Sequence, residues 1–134
     1  MDYKALEKQP KGTAIPAETA IERLKFNADG LIPAIAQQHD TGEVLMMAWM
    51  NARSIRETLD TGQVCYWSRS RQQYWRKGES SGHVQELIAL RADCDGDTLL
   101  LQVNQRGPAC HTLRRSCFYV NIDADQATII SDPE

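Results

Sequence analysis

The sequence of 134 residues lacks a long apolar run, an excess of basic residues and any close pair of cysteines. Without about 18 consecutive apolar residues, no helix that spans a membrane is expected, and the polar N-terminal segment lacks the apolar core of a secretory signal. The net charge of −3 argues against nonspecific binding to nucleic acid, which needs a basic face. We therefore expect a cytoplasmic protein with no membrane or nucleic-acid partner, in which the four cysteines are reduced thiols.

The length and composition are those of one globular domain, with 42% hydrophobic and 25% charged residues. The first 16 residues are polar and contain Pro10, Gly12 and Pro16, so residues 1–16 are predicted to form a loosely ordered leader. Residues 17–134 are then predicted to form the single folded domain.

Short apolar runs alternate with turn-forming residues along that domain, which is typical of strands joined by hairpins. Asp95-Gly96 is a strong signal for a two-residue hairpin turn, because both positions tolerate a positive φ. The predicted strands are 31–37, 44–49, 64–67, 84–92, 98–103 and 116–122, with helices at 17–25 and 51–59 and a long polar loop at 68–82. Together they predict an α+β fold with antiparallel sheets built from hairpins and two short helices.

Three of the cysteines, Cys94, Cys110 and Cys117, lie close to predicted turns or strand ends. Thiolates are strong zinc ligands, and a catalytic zinc ion usually has three protein ligands with one position open for water. The alternative is that each cysteine is a small buried hydrophobic residue, which suits Cys65 in its predicted strand best. His111 follows Cys110 directly and is a candidate fourth ligand or catalytic base, although a surface histidine is the ordinary alternative.

The aspartates Asp93, Asp95 and Asp97 alternate around Cys94. Alternation places side chains on one face of an extended segment, where three carboxylates repel one another unless a cation neutralises them. Hard oxygen ligands of this kind suit Mg²⁺. The alternative is a solvated hairpin tip, where aspartate is common.

The predicted loop and the strand before it combine guanidinium groups, hydroxyls and aromatic rings, a composition that suits binding of a phosphorylated nucleotide. An RNA-binding loop is the competing interpretation, and core packing is the ordinary role of a tryptophan here. The candidate substrate-binding residues are Trp67, Ser68, Arg69, Ser70, Arg71, Arg76 and Lys77.

These segments together resemble the phosphoribosyl-AMP cyclohydrolase family of histidine biosynthesis, over roughly Leu24 to Tyr119. The motifs that carry the resemblance are Trp67-Ser68-Arg69-Ser70-Arg71, Trp75-Arg76-Lys77-Gly78-Glu79, Asp93-Cys94-Asp95-Gly96-Asp97, Cys110-His111-Thr112 and Ser116-Cys117-Phe118-Tyr119. One departure is Leu113, where the family usually has glycine, which tolerates backbone angles that leucine does not.

The resemblance implies a hydrolase that opens the adenine ring of phosphoribosyl-AMP between N1 and C6, by zinc-activated water with the assistance of Mg²⁺. It implies an intertwined homodimer, in which the partner subunit donates one of three zinc-binding cysteines. Those ligands fall on Cys94, Cys110 and Cys117, and the Mg²⁺ ligands fall on the aspartates of the hairpin. His111 is the candidate base, because three thiolates donate charge to zinc and weaken its effect on bound water.

The rival hypothesis is a noncatalytic, zinc-stabilised module that binds nucleotides or RNA, in which zinc has four protein ligands and is needed for folding. Three cysteines with an open fourth position favour the enzyme, whereas a fourth ligand from His111 would favour the module. A zinc deaminase has no support, because its His-x-Glu and Cys-x-x-Cys signatures are absent from the sequence.

Overall fold

The computed structural model describes residues 2–134, which form three helices and eight strands. The helices are α1 (Tyr3–Leu6), α2 (Ala17–Glu22) and α3 (Ala52–Thr61). The strands are β1 (Ile32–Gln38), β2 (Val44–Met50), β3 (Cys65–Ser68), β4 (Gln73–Arg76), β5 (Gln85–Ala92), β6 (Leu99–Gln105), β7 (Val120–Ile122) and β8 (Ala127–Ile129). The α+β class predicted from the sequence is confirmed. Among the described residues, no helix is both long and apolar enough to cross a membrane.

Six strands form one curled sheet in the order β4-β3-β2-β1-β6-β5, and β7 and β8 form a separate hairpin. The pairs β1–β2, β3–β4 and β5–β6 are the antiparallel pairs expected from the turns between them. The central pair β1–β6 is parallel, with Ala34 opposite Leu99. That pairing joins strands distant in the chain, which local hairpin signals do not reveal. A bridge between Gln63 and Glu86 curls the sheet, because it brings the start of β5 beside the start of β3.

The sheet buries a core of aliphatic side chains together with several polar contacts. Side chains of β1 alternate, so that Ile32, Ala34 and Ala36 are fully buried on one face. Between strands, the Tyr66 hydroxyl donates a 2.6 Å hydrogen bond to Oε1 of Gln85, and both residues are fully buried. Because that bond satisfies both polar groups, it ties β3 to β5 without an unpaired buried atom.

Helix α3 begins after the predicted N-cap Asn51 and ends at Thr61, two residues beyond the predicted end. The Asn51 side chain accepts a 2.8 Å hydrogen bond from the Ser54 amide, and the Ser54 hydroxyl accepts one of 2.9 Å from the Asn51 amide. This reciprocal cap satisfies amides that the helix leaves free. Its C-cap is Gly62, where φ of 75° is accessible to glycine at little cost.

Three predicted boundaries were wrong. The polar stretch 68–82 contains strand β4, which pairs with β3 although its side chains are mostly exposed. The last predicted strand, 116–122, is reduced to β7, since Ser116 and Cys117 instead bond to the carbonyl groups at the start of β2. The turn between β5 and β6 is longer than two residues, and the Asp93 amide donates to the Thr98 carbonyl across it.

Part of the predicted leader is helical. Asp2 caps α1 by accepting a hydrogen bond from the Ala5 amide, and Tyr3 packs against the core. The sequence contains no apolar repeat around Tyr3, so this contact could not be predicted from periodicity. The first residue of the predicted leader, Met1, lies outside the described residues.

We expect Asn51→Ala to lower the free energy of unfolding by about 1 kcal/mol, because the Ser54 amide loses its capping oxygen. Asn51→Asp is the matched control, since it keeps a capping oxygen and should retain most of the stability. Chemical denaturation measures both effects, and equal stability of the alanine variant and the parent would contradict the role of the cap.

Candidate active site

A cavity of about 710 Å³ opens between the β3–β4 hairpin, the segment that follows β4 and the loop before Cys117. Its walls combine basic, hydroxyl and thiol side chains. It brings together seven of the residues singled out in the sequence: Ser68, Arg71, Arg76, Lys77, Cys110, His111 and Cys117.

The loop that carries Cys110 is a tight turn closed by backbone hydrogen bonds. The Cys110 amide donates to the Arg114 carbonyl at 3.1 Å, and the Leu113 amide donates to the Cys110 carbonyl at 3.0 Å. Leu113 has φ of 68°, in the left-handed region. The position that departs from the family pattern in the sequence therefore keeps the backbone conformation that favours glycine.

Cys117 reaches the cavity from the opposite side of that loop. Its amide donates a 2.7 Å hydrogen bond to the Leu45 carbonyl, and the neighbouring Ser116 hydroxyl donates one of 2.7 Å to the Val44 carbonyl. Both bonds fasten the segment to the beginning of β2. Cys117 consequently lines the same cavity as Cys110, close enough for the two thiols to influence each other's ionisation.

The two thiols differ in acidity because they share this contact. Burial acts against ionisation of Cys110, but hydrogen bonds from Thr112 and Cys117 and the charge of Arg114 lower its pKa. The Thr112 hydroxyl lies 3.1 Å from the Cys110 sulfur. Burial, followed by the negative charge of Cys110, raises the pKa of Cys117 to about 11. The pair therefore favours one thiolate, and its two soft donors fit a zinc ion, which binds both as thiolates.

Lys77 secures the loop that carries Cys110. Its ammonium group donates a 2.5 Å hydrogen bond to the Ala109 carbonyl and lies 5.0 Å from the ring centre of Trp75. Burial lowers the pKa of Lys77, while the nearby cysteines favour its charged form. Lys77 lines the cavity as predicted, but part of its hydrogen-bonding capacity is already used by the protein.

The arginines of the predicted substrate-binding set have different surroundings. Arg76 forms a two-point contact with the Glu57 carboxylate, with N–O distances of 3.0 and 2.8 Å. Arg69 stacks over Trp49 at 4.6 Å from the ring centre. Arg71 is exposed and lines the cavity, and within residues 2–134 no carboxylate lies at salt-bridge distance from it. Arg71 is thus the arginine best placed to meet an anionic ligand.

Three of the predicted substrate-binding residues, Trp67, Arg69 and Ser70, do not line the cavity. Trp67 is half-buried and packs edge-on against Tyr74, with ring centres 5.0 Å apart. This is the ordinary packing role that the sequence left open for a tryptophan. Ser70 is exposed in the β3–β4 turn, with its hydroxyl 3.4 Å from that of Ser68.

His111 is exposed at the cavity, where an imidazole can exchange protons with a bound molecule. The cavity also contains candidate residues that the sequence analysis did not assign: Glu79, Ser80, Ser81 and His83. The sequence signal for this loop was the pair of glycines at positions 78 and 82. In the structure, the Gly82 amide donates a 2.8 Å hydrogen bond to the Gly78 carbonyl. A Cβ on Gly78 would lie 2.3 Å from the Val84 nitrogen, so only glycine closes this loop.

Cys94 does not share this cavity. It lies exposed in the β5–β6 turn and lines a separate, smaller cavity of about 410 Å³. Among residues 2–134, no three His, Cys, Asp or Glu side chains come together in a way that could hold a metal ion. Cys65 is fully buried, and burial raises its pKa to about 12, so it is a core residue.

The aspartates around Cys94 interact within the turn. The Asp97 amide donates a 3.0 Å hydrogen bond to the Asp93 carboxylate. A hydrogen bond with the Asp93 side chain, together with the negative charges of Asp93 and Asp95, raises the pKa of Asp97. All three carboxylates are exposed oxygen donors. A bound cation would relieve their mutual repulsion, but the three carboxylates of one chain do not converge into a metal site.

The known proteins to which this chain is similar share one name. A sequence model of the phosphoribosyl-AMP cyclohydrolase family matches residues 46–119. Proteins called phosphoribosyl-AMP cyclohydrolase include one from Alkalilimnicola ehrlichii, 62% identical over 98% of this chain and 93% of its own length. Another, from Chromohalobacter salexigens, is 61% identical over 98% of this chain and 90% of its own. One from Acidiphilium cryptum is 70% identical over 78% of this chain and 90% of its own.

The left-handed conformation of Leu113 generates a prediction about stability. Leu113→Gly should be more stable than Leu113→Ala by about 1 kcal/mol, because both variants remove the same half-exposed side chain and only glycine relieves the backbone. Thermal or chemical unfolding measures the difference. If the alanine variant is at least as stable as the glycine variant, position 113 carries no backbone strain.

Proposed function

Because the chain belongs to the phosphoribosyl-AMP cyclohydrolase family, we propose that it opens the adenine ring of phosphoribosyl-AMP in a site completed by a second copy of the chain. It is a hydrolase of histidine biosynthesis and acts on a phosphorylated nucleotide. The observation that carries the proposed mechanism is the cavity in which the Cys110 and Cys117 thiols face a basic wall. The cytoplasmic location expected from the sequence is part of the same proposal and agrees with four free cysteines.

The proposed zinc site uses the two thiols of the cavity and one thiol from elsewhere. Cys110 and Cys117 line one cavity, whereas Cys94 of the same chain lines a different cavity. A catalytic zinc ion usually has three protein ligands. We assign the third to Cys94 of the partner subunit, since a twofold dimer then makes two equivalent sites.

The chemical task is the addition of water to C6 of the purine ring, followed by cleavage of the C6–N1 bond. Cys110, Cys117 and the third cysteine would hold the zinc ion, which would supply an activated water, since such ions lower the pKa of bound water from about 16 towards 7. The ring of the substrate is itself electrophilic, because the ribosyl group on N1 makes it cationic. In this mechanism His111 accepts the proton that the attacking water loses, and N1 receives a proton when the ring bond breaks.

Substrate phosphates need a positive partner, and Arg71 is the arginine of the cavity that lies free of carboxylates among the described residues. Arg76 is held by Glu57, so it contributes charge to the wall without being free to follow the ligand. A guanidinium group binds phosphate through two parallel hydrogen bonds. We therefore assign Arg71 the main phosphate contact, with Lys77 and Ser68 beside it.

The aspartate turn accompanies Cys94, so it reaches the same site in the proposed dimer. Asp93, Asp95 and Asp97 offer oxygen donors of the kind that bind Mg²⁺ together with water and phosphate. A bound Mg²⁺ would offset the repulsion between these carboxylates and the negative phosphates of the substrate. The carboxylates and thiols thus attract two different metals, because oxygen ligands are hard and sulfur ligands are soft.

The C-terminal segment supports a second copy as the partner. Directly after Cys117, Phe118 is 58% exposed, and Ile122 of strand β7 is 78% exposed. In and after the paired strand β8, Ile129 and Ile130 are each 61% exposed. Such a concentration of apolar side chains on the surface is typical of an interaction site. Its position next to a proposed zinc ligand fits an interface at which two chains complete each other's sites.

The proposed activity can be tested with purified protein and phosphoribosyl-AMP, followed by the absorbance change that accompanies ring opening. We expect turnover that a strong chelator removes and that zinc with Mg²⁺ restores. About one zinc per chain should be bound, as one site with three ligands per chain requires. Turnover by protein shown to be free of metal would contradict the mechanism.

Sharing of the site between chains can be tested with two inactive variants. Cys94→Ser and the double variant Cys110→Ser, Cys117→Ser should each be inactive alone, because every site lacks a ligand. Refolded together, they should recover up to about a quarter of the parent activity, since half the dimers are mixed and each has one complete site. A mixture that contains mixed dimers by mass spectrometry and remains inactive would exclude the shared site.

The two arginines of the cavity wall make a matched pair of variants. Arg71→Ala should raise KM roughly tenfold or more, the effect of losing one charge-assisted hydrogen bond to substrate. Arg76→Ala should change KM less, because the native side chain is already engaged with Glu57. Steady-state kinetics decide the assignment, and a larger KM effect for Arg76→Ala than for Arg71→Ala would reverse it.

A further inference from the structure

The turn that carries Cys94 is held from outside by the N-terminal segment. Gly96 is the buried residue within the otherwise exposed stretch 93–97, and its φ is 71°. A Cβ built on Gly96 would lie 2.6 Å from Cδ2 of Tyr3. The aromatic ring therefore occupies the space that any other residue at position 96 would need, and it packs directly on the backbone of the turn.

Tyr3 is itself anchored. Its hydroxyl donates a 2.8 Å hydrogen bond to the carbonyl of Ala20 in α2, which joins α1 to α2. Its ring packs against the hydrophobic core. On the other side of the turn, the Lys25 amide donates a 2.8 Å hydrogen bond to the Gly96 carbonyl. Gly96 is thus contacted both by Tyr3 at the start of α1 and by Lys25 in the segment that follows α2.

The turn needs such support because its own carboxylates work against it. Within it, the Gly96 amide donates to the Asp93 carbonyl at 3.1 Å, and the Asp97 amide donates to the Asp93 side chain at 3.0 Å. These bonds draw Asp93 and Asp97 together although both are acidic, and like charges at short range repel. Contacts from outside the turn offset this repulsion.

We infer that Tyr3 is a positioning residue: by packing under Gly96 it holds the Asp93–Asp97 turn in the shape that presents Cys94 and the aspartates to the active site. Its importance for catalysis rests on the proposed function, in which Cys94 completes the site of a second chain. The packing itself is independent of metal and substrate. Tyr3 lines the same small cavity as Cys94 and Asp95, and the contact that carries its positioning role is the packing of its ring on Gly96.

Hydrogen–deuterium exchange on the full-length, zinc-loaded protein tests the packing directly. In Tyr3→Ala, the hydrogen-bonded amides of the turn and of Lys25 should exchange about tenfold faster, because a large apolar contact to the turn is lost; those in the turn are Asp93, Gly96 and Asp97. Exchange in the core of β6 should stay unchanged. Tyr3→Phe keeps the ring and should remain close to the parent. Lys8→Ala is the matched control, because Lys8 is exposed just after the same helix and does not line the cavity of Cys94.

The consequence for the site is measured by two further readouts. Tyr3→Ala should release zinc to a chelator faster than the parent and should lower kcat more than it raises KM, and Tyr3→Phe should restore both. If Tyr3→Ala does not fold, Tyr3→Leu serves in its place, since it keeps an apolar side chain but cannot reach across Gly96.

Unchanged exchange in residues 93–97 would overturn the inference whatever the activity. Faster exchange with unchanged zinc release and kinetics would overturn it too, because the turn would then not matter to the site. Absence of turnover in the parent protein would contradict the proposed function instead, and the exchange and zinc-release measurements would still decide the role of Tyr3.

Discussion

The contact between the thiols of Cys110 and Cys117 is the constraint from which the rest of the site follows. One thiol is carried by a tight turn and the other by a segment fastened to the carbonyl of Leu45. Lys77 joins the turn to the strand hairpin through the Ala109 carbonyl, so the basic wall and the sulfur pair belong to one rigid unit. The Arg71 side chain lines the same cavity and can approach a ligand bound there.

The proposed site is divided, because Cys94 and Asp95 line a cavity separate from that of Cys110 and Cys117. Cys94 and the neighbouring aspartates of the 93–97 turn form a second unit, which Tyr3 and Lys25 contact and which lines a separate cavity. Each unit alone is incomplete: the first has two soft ligands and a basic wall, and the second has one soft ligand and three hard ones. In the proposed homodimer, a twofold association would complete both units at once and would cover the apolar side chains of the C-terminal hairpin.

Elements whose cause is local could be predicted from the sequence, and elements whose cause is distant could not. Asn51 and Gly62 define α3 through their own backbone preferences, and the unusual residue at position 113 marked the strained turn beside Cys110. Strand β4 was missed because it is stabilised by pairing with β3 and has little apolar pattern of its own. Three of the four basic residues indicated by the motifs line the cavity, but only the fold shows that Arg69 stacks on Trp49 and that Arg76 is engaged by Glu57.

The most direct test of the central claim is to count the thiolates that bind cobalt in the isolated mixed dimer. The dimer pairs a Cys94→Ser chain with a Cys110→Ser, Cys117→Ser chain, and cobalt replaces zinc with an absorption that grows with each sulfur ligand. If the chains share their sites, the mixed dimer should bind one cobalt with the absorption of three thiolates, because one site has every cysteine and the other has none. Cobalt with only two thiolates would show that the ligands come from a single chain and would contradict the account.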